Sequence, residues 1–387
     1  MSASNFPFED CLLKHFVRTD GWLPVCKNRR KIVNAGRARR LRYFTFCAVG
    51  AIDVLMLDVA KVLIKSSQDT FDTVCFFDLD ADAVFNTRKN IPGADGIVGD
   101  FVDTVMADDP HFPEAAIVNG GEPEGQESMP LSSERPAQNT RAERERQRML
   151  SARRAFIGAF PFDIVNLDLE QYLFQPTEQL PGRLINALRR VFEWQHRPRM
   201  FSGKPPAQAI DGFSLMFTTR IGPPNLGQEY LEMLRSGIVS NLEADRDLAD
   251  LMTARVGHAD VPVLERTSFG EFFKLAVPKL LARLLMERDW YVDPTNGIKI
   301  YEFERTNAQL TYSMLHFVMD VKQHEPPEGQ RAPGVTSASA AAAYRSVVRE
   351  VFSRREIVVT EAGLDKASLE VDLSKIKARR NKNRGGV

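Results

Sequence analysis

The chain has 387 residues, 43% hydrophobic and 26% charged, the balance of a folded globular protein with room for a large core. Lys+Arg and Asp+Glu are equal at 51 each, which excludes a global electrostatic case for nucleic-acid binding and leaves only local ones. Four widely spaced cysteines, Cys11, Cys26, Cys47 and Cys75, form no C-x-x-C pair and so exclude a zinc ribbon or a dithiol redox motif.

The amino terminus, MSASNFPFEDCLLKHF, lacks a basic segment followed by a long apolar one. No run approaches the ~20 apolar residues of a membrane span, so no membrane contact is expected and the cytoplasm is the expected compartment. Residues 1–41 form an amino-terminal segment with a short amphipathic helix, FEDCLLKHFV, followed by a basic stretch. From residue 42 strands and helices alternate. YFTFCAV reads as a strand and AIDVLMLDVAKVLIKSS as a helix, DTVCFFDLD as a strand and ADAVFNTRKNI as a helix, and ADGIVGDFVD holds a short third strand. Cys47 and Cys75 lie in these apolar runs and read as small core residues.

The segment NGGEPEGQESMPLSSERPAQNT is poor in apolar residues and opens an insertion over about 119–157, predicted to be mobile, that ends in an Arg-rich helix. FDIVNLDLEQYLF, GRLINALRRVFEWQHR and FSLMFTTRI then continue as strand, helix and strand. Residues 225–287 read as helical throughout, and GIKIYEFER with QLTYSMLHFVMDVKQ reads as an antiparallel hairpin. A linker, one helix (AYRSVVREVFSRR) and a basic tail expected to be disordered occupy 325–387. The order predicts one α/β domain over 42–324, a mostly parallel sheet with helices on both faces and a carboxyl-terminal antiparallel hairpin.

Ligands of an open α/β sheet sit beyond the carboxyl ends of its strands, so the polar residues there are the candidates. Strand one ends in CAVGA, where Gly50 serves either a close approach to a ligand or a plain tight turn, and the G-x-G-x-x-G fingerprint is missing. Strand two ends in Asp78, a carboxylate suited to the two hydroxyls of a ribose, while Asp80 and Asp82 suit the cap and first turn of the next helix. Strand three ends in Asp100 and Phe101, a hydrogen-bonding and stacking pair for a base or a surface turn with a core phenylalanine. In strand four, Asn166, Asp168, Glu170 and Tyr172 alternate at period two and share a face, where Asn166 and Asp168 can position a substrate or accept a proton.

Taken in order, these strand ends resemble the class I S-adenosylmethionine-dependent methyltransferases, a Rossmann-like family, over roughly residues 43–322. The resemblance implies that the turn at Cys47, Ala48 and Gly50 meets the methionine part of S-adenosylmethionine. It likewise implies that Asp78 holds the ribose, that Asp100 and Phe101 contact adenine, and that Asn166 and Asp168 face the methyl group and substrate. The first turn departs from the family in having Thr45, Cys47 and one glycine where an acid and two or three glycines are usual. The strand-four Asn/Asp-Pro-Pro-Tyr/Phe motif of amino-methylating members appears only as NLDL.

Three functions follow. The first is methyl transfer, with nucleic acid as an expected substrate class because the stretch opened by Lys27 and closed by Arg42 holds eight Lys/Arg in sixteen residues and the tail is also basic. The second is a methyltransferase-like domain kept for binding or assembly, with its helical additions facing a protein partner or a second copy. The third is a nicotinamide-dependent oxidoreductase.

Overall fold

The computed structural model describes residues 11–35, 40–46, 50–63, 73–108, 141–173, 182–196, 210–222, 227–293, 298–307, 310–323 and 357–384. The chain begins with α1 (Leu12–Phe16), which passes through a π-helical turn (Val17–Trp22) into α2 (Leu23–Ala35). Next come β1 (Arg42–Thr45), α3 (Ile52–Val59), β2 (Thr73–Asp78), α4 (Ala81–Asn90), β3 (Asp95–Val98) and α5 (Phe101–Met106). The middle of the chain supplies α6 (Arg141–Gly158), β4 (Ile164–Tyr172), α7 (Arg183–Trp194) and β5 (Gly212–Arg220). Four helices follow, α8 (Gln228–Ala244), α9 (Arg246–Val256), α10 (Val261–Thr267) and α11 (Phe269–Met286). The last elements are β6 (Trp290–Val292), β7 (Lys299–Asn307), β8 (Leu310–Gln323), β9 (Ile357–Val358) and α12 (Lys366–Arg384).

The strands form one sheet in the order β3-β2-β1-β4-β5-β8-β7-β9, with β6 paired to β8. The first five strands of that order are mutually parallel. β8 runs antiparallel to β5, β7 antiparallel to β8, and β9 parallel to β7. The protein is therefore α/β, with a mixed, mostly parallel sheet. The chain moves outward from β1 through β2 to β3 and then returns to place β4 on the other side of β1. The order therefore reverses between β1 and β4.

Period-two alternation explains both faces of the sheet. Phe44, Cys75, Phe77, Val165, Leu167, Phe213, Leu215 and Phe317 point to one core, shared with α5, α6, α7 and α8 to α11. Tyr43, Val74, Phe76, Ile164, Met216, Tyr301 and Val318 point to the other, beneath the amino-terminal helices, α3 and α12. Each fully buried side chain of this size contributes about 1.5–3 kcal/mol. A near-continuous apolar run is what a strand covered on both faces requires.

Several expectations are corrected. The helix after β1 stops at Val59, where Lys61 takes a left-handed turn (φ 60°) and the Val62 and Leu63 amides both donate to the Leu57 carbonyl. The tail expected to be disordered instead forms the 19-residue α12. Its Leu369, Leu373 and Ile376 are buried, Arg379 pairs with the buried Asp58, and Asn383 donates to the Asn90 carbonyl at 2.7 Å. Most of the predicted insertion, the linker and the helix AYRSVVREVFSRR lie outside the described residues, although the Arg-rich helix is present as α6. Among the described residues, no helix is long and apolar enough to cross a membrane.

Candidate functional site

A cleft of about 310 Å³ opens at the carboxyl ends of β1 to β4, beside the point where the strand order reverses. That is where an open parallel sheet places its ligands, and the size falls at the lower end of the range for small-molecule sites. Phe46, Phe77, Asp78, Leu79, Gly99, Asp100 and Asp168 are among its lining residues.

One wall is aromatic. Phe46 meets Phe101 edge-on at 5.0 Å, and Phe77 meets Phe101 edge-on at 5.6 Å. Phe101 is also packed on Phe44 and Phe156 and is only 6% exposed, so its ring serves the core first and offers the cleft little face. Asp100 lines the cleft while capping α5, its Oδ1 accepting the Asp103 amide at 2.8 Å.

Asp78 sits where β2 leaves the sheet. Its carboxylate accepts the Asp80 amide at 2.9 Å and its backbone carbonyl accepts the Gly99 amide at 2.9 Å, so two loops converge on it. Burial pushes its carboxyl up from the ordinary value. Asp80 in turn caps α4 through the Asp82 amide, as expected from its position. Gly99 was not singled out by the sequence reading; its φ of +152° is one that side-chain-bearing residues rarely adopt. The available signal was a glycine directly before the acid that ends strand three.

Asn166 and Asp168 share a sheet face, as period two requires, but their surroundings differ. Asn166 is fully buried and donates to the Tyr43 hydroxyl at 3.0 Å and to Thr45 Oγ1 at 3.2 Å. Both hydroxyls donate onward to Asp53 Oδ2, at 2.9 and 2.7 Å, which closes a network under the sheet in which Asn166 Oδ1 has no hydrogen-bond partner. Asp168 lines the cleft, and its Oδ2 lies 2.7 Å from Lys14 Nζ of α1. Burial pushes the Asp168 carboxyl up, but Lys14, His316 and Arg18 outweigh it and hold the group below the ordinary carboxylate range.

The remaining candidates divide. Gly50 is buried in its turn and is not among the described lining of the cleft, while Cys47 and Ala48 lie outside the described residues. The same holds for the side chains of Glu170 and Tyr172. Among the described residues, no group of three or more His, Cys, Asp or Glu side chains is placed to hold a metal ion.

Comparison with protein-family models gives no match, and neither does comparison with curated proteins. The geometry therefore carries the functional argument by itself.

The basic stretch is partly structural. Arg29 is buried against Ser214 and Asp320, and Arg30 donates to the Val62 carbonyl at 2.6 Å. Arg42 donates to the Ala159 and Phe160 carbonyls at 3.0 and 3.1 Å. Lys27, Lys31 and Arg40 are exposed, and Arg37 and Arg39 lie outside the described residues. The carboxyl-terminal basic run likewise spends Arg379 on Asp58.

Proposed function

We propose that the cleft holds S-adenosylmethionine and that the protein is a methyltransferase with a Rossmann-like fold. The carrying observation is Asp78, a partly buried carboxylate fixed at the end of the second strand, beside an aromatic wall, at the reversal of strand order. The donor set fits a nucleoside-bearing cofactor. The Asp78 carboxylate accepts ribose hydroxyls, Phe46, backed by the buried Phe77 and Phe101, offers an aromatic surface to a base, and Gly99 lets backbone approach closely. Bound S-adenosylmethionine supplies a methyl group on an already activated sulfonium, so positioning does most of what catalysis requires. The residues of the chain bind and orient; Asp168 lines the cleft as an ionised carboxylate paired with Lys14. Nucleic acid remains the proposed acceptor class, with Lys27, Lys31 and Arg40 as its exposed contacts.

A second reading, a binding or assembly protein without turnover, is favoured by Lys14, whose ammonium already pairs with the Asp168 carboxylate. Calorimetric titration with S-adenosylmethionine and with NAD tests both readings against the oxidoreductase alternative. S-adenosylmethionine is expected to bind, and Asp78→Ala to weaken it more than tenfold, about 1.4 kcal/mol. Identical binding by wild type and variant removes Asp78 from the site, and NAD binding without S-adenosylmethionine binding overturns the methyltransferase reading.

A further inference from the structure

Asp168 belongs to two structures at once. It lines the cleft, and it is the sheet's anchor for α1 through an ion pair whose partners are only 7% and 8% exposed in their side chains. Its second oxygen, Oδ1, is buried without a hydrogen-bond partner. A buried pair of this kind is stable only while both charges are present, because removing one leaves the other uncompensated. A different cation at the carboxylate would satisfy it equally well.

The helices on either side of the π-helical turn are held differently. α2 is tied to the sheet by Arg29, which reaches Ser214 Oγ at 3.3 Å and Asp320 Oδ1 at 3.4 Å. The turn itself is pinned by the Tyr301 hydroxyl donating to Asp20 at 2.8 Å, and Gly21 lies so close to the Tyr301 ring that an added Cβ would stand 2.8 Å from it. α1 is the five-residue first turn of a helical run that continues through the π-helical turn into α2, and it packs on α12. It also buries His15 completely with both ring nitrogens unpartnered, a cost that favours its release. π-helical turns within helices recur at functional sites.

We propose that α1 is a charge latch on the cleft, with the Lys14 ammonium holding the place at Asp168 that a cation of the bound ligand takes when the latch opens about Val17–Trp22. The ligand class is a molecule that brings a sulfonium or ammonium to the cleft, so this inference rests on the cofactor reading above. Arg18 and His316 already face Asp168, and one carboxylate cannot neutralise a ligand cation and Lys14 together. Lys14 is the group that leaves, because its own turn carries His15, buried with neither ring nitrogen partnered.

Hydrogen–deuterium exchange on the full chain, with and without S-adenosylmethionine, tests the latch. Lys14→Met is expected to speed exchange of the amides at 12–16 at least tenfold and to leave those of α2 unchanged, while Lys14→Arg keeps the protection. Saturating S-adenosylmethionine is expected to deprotect the same amides in the wild type and to have no further effect in Lys14→Met, and S-adenosylhomocysteine, which lacks the sulfonium charge, separates the two cations. Protection retained in Lys14→Met, uniform loss across both helices, or bound cofactor leaving 12–16 protected overturns the latch. If neither compound binds any variant, the cofactor reading falls, and the Lys14→Met comparison alone then decides whether the pair holds α1 closed.

Discussion

Gly99 is specified by its own backbone. At φ +152° an alanine is strained whatever space surrounds it, and its Cβ would stand 3.2 Å from Thr104 Oγ1. Gly99→Ala is expected to lower unfolding stability by about 1–3 kcal/mol in urea titration and to loosen the loop that donates to the Asp78 carbonyl. An unchanged midpoint removes the claim of strain. Asp78 and Asp100 were legible in the sequence because an acid after an apolar run marks a strand end. The backbone angle of Gly99 was not, since a glycine letter reports only what is permitted there. Nor was the difference between Asn166 and Asp168, which period two puts on one face. Their separation depends on Tyr43, Thr45 and Lys14, contributed by distant parts of the chain.

At the scale of elements, α12 shows how a charged sequence is fixed by a few contacts. Arg379 donates to Asp58 through two nitrogens, and Asp58 is 3% exposed, so Arg379→Ala leaves a buried carboxylate unpaired. The expected cost in urea titration is about 1–3 kcal/mol. Lys375→Ala, which removes an ion pair whose side chains are 59% and 46% exposed, is expected to cost less than about 0.5 kcal/mol. Equal costs for the two would mean that α12 does not rest on Asp58. The strand and helix alternation was readable from apolar periodicity, and so was the helical region now divided into α8 to α11. The tail was misjudged because its charges outnumber Leu369, Leu373 and Ile376, whose spacing of four and three residues is the one apolar stripe α12 needs. β6 and β9, three and two residues long, were invisible because pairing with β8 and β7, and no local pattern, defines them.

For the molecule as a whole, buried titratable groups set the response to pH. Burial pushes His15 down to about 4 from 6.5, so between those values the unfolded chain binds a proton that the folded one refuses. Stability therefore falls as pH drops from 6.5 toward 4 and is level above that window with respect to this group. His15→Leu is expected to raise the thermal midpoint more at pH 5 than at pH 7.5; an equal rise at both would show that His15 does not titrate in the fold. Lys279, pushed by burial down to about 7 from 10.5, acts with the same sign at higher pH, adding stability as pH rises from 7.

The tie between Arg29 and Asp320 spans 291 positions, and that between Asp20 and Tyr301 spans 281. During synthesis the first helices therefore leave the ribosome long before the strands that receive them. β8, which joins β5 to β7 and supplies Asp320, is among the last elements to emerge. Until it does, Arg29 lacks its Asp320 partner, and α1 and α2 have only Asp168 of β4, Ser214 of β5 and the Val62 carbonyl to dock on. The amino-terminal cover is thus made first and completed late, and a nascent chain stalled before residue 310 presents a partly uncovered apolar face to other chains.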